Sequence, residues 1–343
     1  MNQQDAFKEL HCGVTFGFYA RNGYFSTKAA KEEIDAIVAC NVKWIALTPT
    51  VMQEAYCATR QFRDFENTPD DFELTEMINY IHSKGIKVQL RPMLECFDGQ
   101  GRNQVWFPPD RERIPGKVSD YWSKWFQSMT LRSVHYAKLA QRTGCELFGL
   151  DSELDKTVDK NAEWKQVIQR VREVYDGPIT SCHTREVDFL RAVENKNHWF
   201  YDLDMLSISF YYKGAEHPDS TVEEMVECLK EPKEYCRKIA EIYGKPFFFG
   251  ECGCTSSQFG ARSPSGWSSK AAYCGEEQSN YLEAILKSFW NEPWWYGLYW
   301  WKWDEQNDRK NFYDPAGDKG FIVKGKPASN LMREWFDKKD TVR

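Results

Sequence analysis

The sequence has no long Lys/Arg block, no apolar run near the ~20 residues of a membrane span, and no glycine-rich phosphate turn. Each absence removes a class of function. Without a basic block, and with a net charge of −6, no nucleic acid and no anionic membrane surface is expected as a partner. The opening residues, MNQQDAFKELHCGVTF, show no positive region followed by a continuous apolar stretch, so a cytoplasmic address is the expectation. No Pro/Gly/Ser-rich linker, composition break or internal repeat divides the chain, and residues 1–343 are expected to form a single domain. The eleven cysteines are scattered, and Cys252 and Cys254 have one residue between them rather than the two of CxxC metal and redox sites. Reduced, buried thiols are expected.

The composition supports a sizeable core, with 42% hydrophobic and 28% charged residues. Aromatic residues are abundant at 15%, including 14 Trp. Some must pack the core. Flat amphipathic rings also suit the C–H face of a sugar, which makes carbohydrate a candidate ligand.

Eight short apolar strand candidates recur: "CGVTFGF" near 12–18, "VKWIALTP" from 42, "IKVQLRPML" from 86, "CELFGLDSEL" from 145, "GPITSC" from 177, "LDMLSISFYY" from 203, "KPFFFGE" from 245 and "YGLYWW" from 296. Between most of them lie segments with a 3.6-residue apolar period. "STKAAKEEIDAIVACN" and "TPDDFELTEMINYIHSKG" start on Ser or Thr, carry acids in the first turn and end on Asn or Gly, as helix caps and the helix dipole prefer. Pro232 is expected to break the long helical stretch from Thr221 to Gly244 near its middle. Strand–helix alternation implies parallel pairing through right-handed crossovers. Eight units can close as a (β/α)8 TIM barrel or lie open in a doubly wound sheet. "FGFYARNGYFS" after the first strand lacks GxGxxG, which favours the barrel. The loops after strands three, six and seven are long and sit on the rim where barrel active sites form.

Two glutamates stand out. Glu251 ends the apolar run "KPFFFGE", and Glu153 ends "LFGLDSEL" three βα repeats of roughly 30 residues earlier. An unpartnered charge in such a setting costs several kcal/mol, so a carboxylate there needs a reason. On the barrel both should face one mouth. Strict alternation puts Gly149, Asp151 and Glu153 inward, and Phe148, Leu150 and Ser152 outward. Two convergent carboxylates are what glycoside hydrolysis requires, one as a protonated acid for the leaving oxygen and one ionised to attack the anomeric carbon or activate water. Burial and mutual repulsion would separate their pKa values. The competing reading of either glutamate alone is a rim acid that caps a helix or pairs with an arginine.

The strings "HYAKLAQRTGCELFGLDSEL", "WKQVIQRVREVYDGPIT", "YGKPFFFGECG", "FWNEPWWYGLYWWKW" and "GKPASNLMREWF" resemble β-mannanase family 113 of glycosidase clan A, in order along nearly the whole chain. The resemblance implies a retaining, double-displacement hydrolase with Glu153 as general acid/base and Glu251 as nucleophile. Such carboxyl pairs lie ~5–5.5 Å apart. It also implies a β-1,4-linked mannan, glucomannan or manno-oligosaccharide substrate, short imported oligosaccharides if the cytoplasmic address holds, and no metal or organic cofactor. One departure is that many clan members carry Asn just before the acid/base, on the sugar 2-hydroxyl, where this chain has Ser152. The rival readings are another β-linked glycan, such as xylan or a β-glucan, and a non-catalytic carbohydrate-binding barrel.

Supporting residues follow from position. Alternation in "SISFYY" turns Ser207, Ser209 and Tyr211 inward, where Tyr211 either donates a hydrogen bond to Glu251 or packs beneath a rim loop. Trp301, at the end of strand eight, is the candidate sugar platform, with Trp300 and Trp303 beside it. Arg91 either orients a carboxylate, binds a hydroxyl or forms a rim salt bridge, and Trp106 is a candidate for stacking a further sugar. His183 reads as structural.

Overall fold

The computed structural model describes residues 6–266, 271–305 and 317–338. Eight parallel strands close a barrel: β1 (His11–Phe16), β2 (Trp44–Leu47), β3 (Lys87–Leu90), β4 (Leu147–Ser152), β5 (Ile179–His183), β6 (Leu206–Phe210), β7 (Phe247–Cys252) and β8 (Trp295–Trp303). Each pairs with its sequence neighbours, and β8 pairs back onto β1. All eight strand readings and the (β/α)8 fold class hold.

The helices are α1 (Lys28–Val38), α2 (Asp71–Ser83), α3 (Tyr121–Thr143), α4 (Asn161–Arg172), α5 (Phe189–Glu194), α6 (Val222–Cys228), α7 (Lys230–Tyr243), α8 (Gly275–Phe289) and α9 (Pro327–Phe336). Thr27 caps α1 by accepting from the Ala30 amide. Asp70, rather than the threonine before it, caps α2 through a reciprocal box with Glu73. The stretch containing Pro232 divides at Leu229, and the proline sits in the first turn of α7, where a missing N–H costs no helix bond.

The barrel floor is closed by Trp44, Leu147, Met205, Phe248 and Tyr299. His11 stacks on Trp44 at 4.1 Å between ring centroids. Its Nε2 donates to the Ala6 carbonyl, which leaves Nδ1 to accept from the Tyr299 hydroxyl. Burial pushes the His11 pKa down to about 3, so the ring packs as a neutral aromatic. The larger apolar layer lies between strands and helices. Burying each of its large side chains contributes roughly 1.5–3 kcal/mol. The eleven cysteines, all among the described residues, are free, and eight are buried.

One feature of the rim is absent from a simple barrel reading. β2 and β3 do not stop at Pro49 and Pro92 but resume in the same register, with Leu47 opposite Leu90 and Thr50 opposite Met93. Thr50–Gln53 and Met93–Cys96, joined by Gln61–Phe62, form a three-stranded sheet that raises the wall on this side of the mouth. The prolines interrupt the ladder because they lack an N–H, without ending the strand direction. Beyond them the loop after β3 adds an exposed hairpin, Arg111–Ile114 with Lys117–Ser119.

Candidate active site

Glu153 and Glu251 line one cavity of about 560 Å³ at the C-terminal mouth of the barrel. Each reaches it through a β-bulge. Thr180 of β5 pairs with Gly149 and Cys182 with Ser152, so β4 spends one extra residue over that interval. Likewise Ile208 pairs with Phe249 while Ser209 pairs with Glu251, which leaves Gly250 as the extra residue in β7. A bulge re-aims the residues beyond it. The expected alternation on β4 is therefore wrong at two positions: Asp151 turns outward to Arg132 of α3, and Ser152 turns inward to the site. Glu153 itself faces the cavity in left-handed backbone, φ 62°, a conformation costly for a non-glycine residue and concentrated at functional sites. Its amide donates to the Cys182 carbonyl at 2.8 Å, which holds that turn.

Neither bulge tolerates a side chain at its glycine. A Cβ on Gly149 would lie 2.7 Å from the Arg91 Cγ, and one on Gly250 would lie 2.7 Å from the Cys182 sulfur. At Gly149 the space is filled by the group that supports Glu251. Arg91 is fully buried beneath the cavity, donates to the Gly250 carbonyl at 2.8 Å and comes within 3.5 Å of Glu251 Oε1. Two further donors converge on the same carboxylate: the Ser152 hydroxyl at 2.7 Å and the Tyr211 hydroxyl at 3.2 Å. Burial, then the charges of Glu251 and Glu153, hold the Tyr211 phenol well above its ordinary pKa, so it remains a proton donor.

Glu153 is treated differently. Burial first, and the negative charge of Glu251 second, push its pKa up to about 7. Arg102, 3.6 Å away, opposes that rise, as does a hydrogen bond from Ser209. The two carboxyls thus sit in unlike surroundings. Glu251 is gathered by three donors, and Glu153, partly buried beside that second carboxylate, holds its proton to near neutrality.

The sequence and known structures place this arrangement. The model of Glycoside Hydrolase Family 113 matches residues 14–326. The chain belongs to glycoside hydrolase family 113. A solved complex of a family 113 β-1,4-mannanase superposes with TM-score 0.81 at 27% identity, covering 96% of this chain and 100% of that one. The family 113 β-mannanase AaManA from Alicyclobacillus acidocaldarius, in complex with ManMIm, gives TM-score 0.82 at 27% identity over 96% and 97% of the two chains. A β-glucuronidase from Ruminococcus gnavus shares the fold at 13% identity, with TM-score 0.57 over 90% of this chain and 46% of its own. No curated protein matches the sequence.

In this family 113 hydrolase the other residues singled out from sequence divide sharply. Trp301 lines the cavity, packed against Phe18 at 5.2 Å between ring centroids. Trp300 and Trp303 do not reach it. Their indole N–H groups donate to the Phe321 carbonyl and to Glu33 of α1, so both rings lie outside the barrel wall: alternation about Trp301 turns Trp300 out, and a bulge that gives β8 one extra residue between Trp300 and Trp303 opposite β1 turns Trp303 out as well. Arg91 touches Glu251 rather than the cavity, so of its three readings the carboxylate partner is the one the geometry fits. Trp106 is absent from the cavity wall and is 51% exposed, because its buried neighbours Val105 and Phe107 anchor the loop and turn it to solvent. His183 is buried between Ser181 and Asp155. Residues 267–270 of the loop after β7 lie outside the described residues.

Arg102 and Glu95 were not anticipated. Glu95 reaches the mouth on the raised extension of β3, and burial pushes its pKa up against the opposing charge of Arg102. Arg102 lies over the Phe18 ring at 5.0 Å, donates to the Leu94 carbonyl and stands between Glu95 (3.8 Å) and Glu153 (3.6 Å). An arginine in a long rim loop carries no periodic signal in sequence.

Proposed function

We propose that this family 113 hydrolase cleaves β-1,4-mannosidic bonds in mannan, glucomannan or manno-oligosaccharides with retention of configuration. The observation that carries the reading is the unequal pair, Glu153 with its pKa near 7 and Glu251 gathered by Ser152, Tyr211 and Arg91, on the wall of one cavity. The substrate class draws on the β-mannanases at 27% identity.

In the first step the Glu153 acid gives its proton to the glycosidic oxygen as the Glu251 carboxylate attacks the anomeric carbon. The bond to the leaving sugar breaks, and an ester forms at Glu251. Glu153, now ionised, takes a proton from water, and the resulting attack on the same carbon releases Glu251 and restores the acid. Glu153 needs a pKa close to the working pH because it serves as acid and then as base. Partial burial beside a second carboxylate supplies that. The Trp301 ring offers its face to the apolar side of the sugar being cleaved.

The assay is release of reducing sugar from β-mannan, xylan and β-glucan in parallel. Preference for mannan supports the reading. A preference for xylan or β-glucan would contradict the substrate, and no release from any of the three would contradict the hydrolytic role of the site.

A further inference from the structure

Glu95 lines the catalytic cavity but has no part in the double displacement. It stands on the raised extension of β3, Met93–Cys96. Alternation there sends Met93 into the inner cluster with Phe18, Trp301 and Phe321, Leu94 out to the helix layer, and Glu95 back inward. Its Oε1 accepts from the Cys96 amide at 3.4 Å, and its Oε2 faces one Arg102 nitrogen at 3.8 Å. A second Arg102 nitrogen faces Glu153 at 3.6 Å. Both gaps exceed the ~2.7–2.9 Å of a charge-assisted hydrogen bond, so the guanidinium is shared between two carboxylates and closed on neither.

Arg102 has few places to go. Its Nε donates to the Leu94 carbonyl at 2.9 Å, and its guanidinium lies over the Phe18 ring. Burial opposes its charge, and the carboxylates of Glu95, Glu153, Glu251 and Asp151 hold it protonated. Of these, Asp151 is paired with Arg132, and Glu251 is gathered by Ser152, Tyr211 and Arg91. Glu95 and Glu153 are left to compete for the cation. The groups acting on Glu153 are Glu251, Arg102, Asp155 and the Ser209 hydroxyl, while Tyr19 and Asp151 are the other groups that face Glu95.

The competition matters because Glu153 changes charge during the reaction and Glu95 does not. We infer that Glu95 is a positioning residue that holds Arg102 back from Glu153, so that the acid keeps its proton until the glycosidic oxygen takes it and remains a usable base afterwards. This rests on the proposed role of Glu153. With Glu95 neutral, Arg102 can close on Glu153 from 3.6 Å to about 2.8 Å. The added attraction lowers the Glu153 pKa by about 1 unit at an effective dielectric of 20 and by about 0.2 in a water-like one. A residue that merely anchored Arg102 would act the other way. Its loss would let the cation drift off, and the Glu153 pKa would rise.

The test is a ¹³C NMR titration of the Glu153 carboxyl, assigned by its loss in Glu153→Gln. It compares the wild type, Glu95→Gln, Arg102→Met and the double variant, with folding checked by circular dichroism. Glu95→Gln should lower the Glu153 pKa by about 0.2–1 unit, and Glu95→Ala should give the same sign without an amide. In the Arg102→Met background the Glu95 substitution should leave the Glu153 pKa unmoved. An unchanged or raised pKa in both Glu95 variants overturns the inference. So does an equal fall in the Arg102→Met background, which would mean that Glu95 acts on Glu153 without the arginine. The alkaline limb of kcat/KM on mannohexaose should follow the carboxyl downward. A limb that stays in place while the carboxyl moves would instead overturn the acid role on which the inference rests.

Discussion

Removing the charge of Arg102 should move the alkaline limb of the pH–rate profile upward. The guanidinium lies 3.6 Å from the Glu153 carboxyl and lowers its pKa against burial and the Glu251 charge, which together set it at about 7. At 3.6 Å the attraction is worth about 1 kcal/mol in a water-like dielectric and about 5 kcal/mol at an effective dielectric of 20. These limits correspond to pKa displacements of about 0.8 and about 3. The Glu153 side chain keeps 21% of its exposure, which holds the effect near the lower limit. Arg102→Met preserves contact with the Phe18 ring and removes the charge. With Glu153 as the proposed acid, its protonated form is the active one, so a higher pKa keeps it populated to higher pH. The limb in kcat/KM, which reports the free enzyme, should rise from about 7 by about one pH unit whatever the loss in absolute rate. A limb that stays in place or moves down would refute the electrostatic account of the site. Glu251→Gln provides the opposite sign: without the neighbouring charge, the Glu153 carboxyl should titrate at lower pH in a ¹³C NMR titration.

The remaining predictions follow from the same contacts. Glu153→Ala should lose about 10²–10⁴-fold on oligosaccharides yet far less on a dinitrophenyl mannoside, whose leaving group needs no proton, as compared by kcat for bond cleavage. Equal losses on both substrates would remove Glu153 from the acid role. Tyr211→Phe and Ser152→Ala each delete one donor to Glu251 and should cost about 1.5–3 kcal/mol, or roughly 10- to 150-fold in kcat/KM, with little change in thermal stability. Gly250→Ala forces a methyl into the Cys182 sulfur at the β7 bulge and should destabilise by about 1–3 kcal/mol in a denaturant titration. A neutral result there would mean that the bulge yields easily.

The barrel was legible because eight apolar strands and their intervening helices each repeat one local pattern, and that pattern has few closures. Both glutamates were legible for a related reason: a carboxylate at the end of an apolar strand has no packing role. The route by which they face the cavity was not. Counting alternate residues along β4 put Asp151 in and Ser152 out, and the bulge reverses both. Gly149 and Gly250, each inside an apolar strand, carried the signal of a bulge or a close backbone approach. Of the tryptophans of "YWWKW", Trp300 leaves the barrel by parity once Trp301 is fixed inward, but parity would keep Trp303 in; the extra residue of β8 between Trp300 and Trp303 sends it out, and no alternation count shows that. Arg102 and Trp106 lie in one rim loop, and composition favoured the aromatic residue as the sugar contact. The fold buries the loop through Val105 and Phe107 and points the arginine inward instead.

The anomer formed first, followed by ¹H NMR from the moment enzyme is mixed with a manno-oligosaccharide, tests the central claim most directly. Attack by Glu251 and then by water inverts the carbon twice, so the β-configured product should appear first and mutarotate afterwards. An α-configured first product would mean a single displacement by water, and Glu251 could not then be the nucleophile.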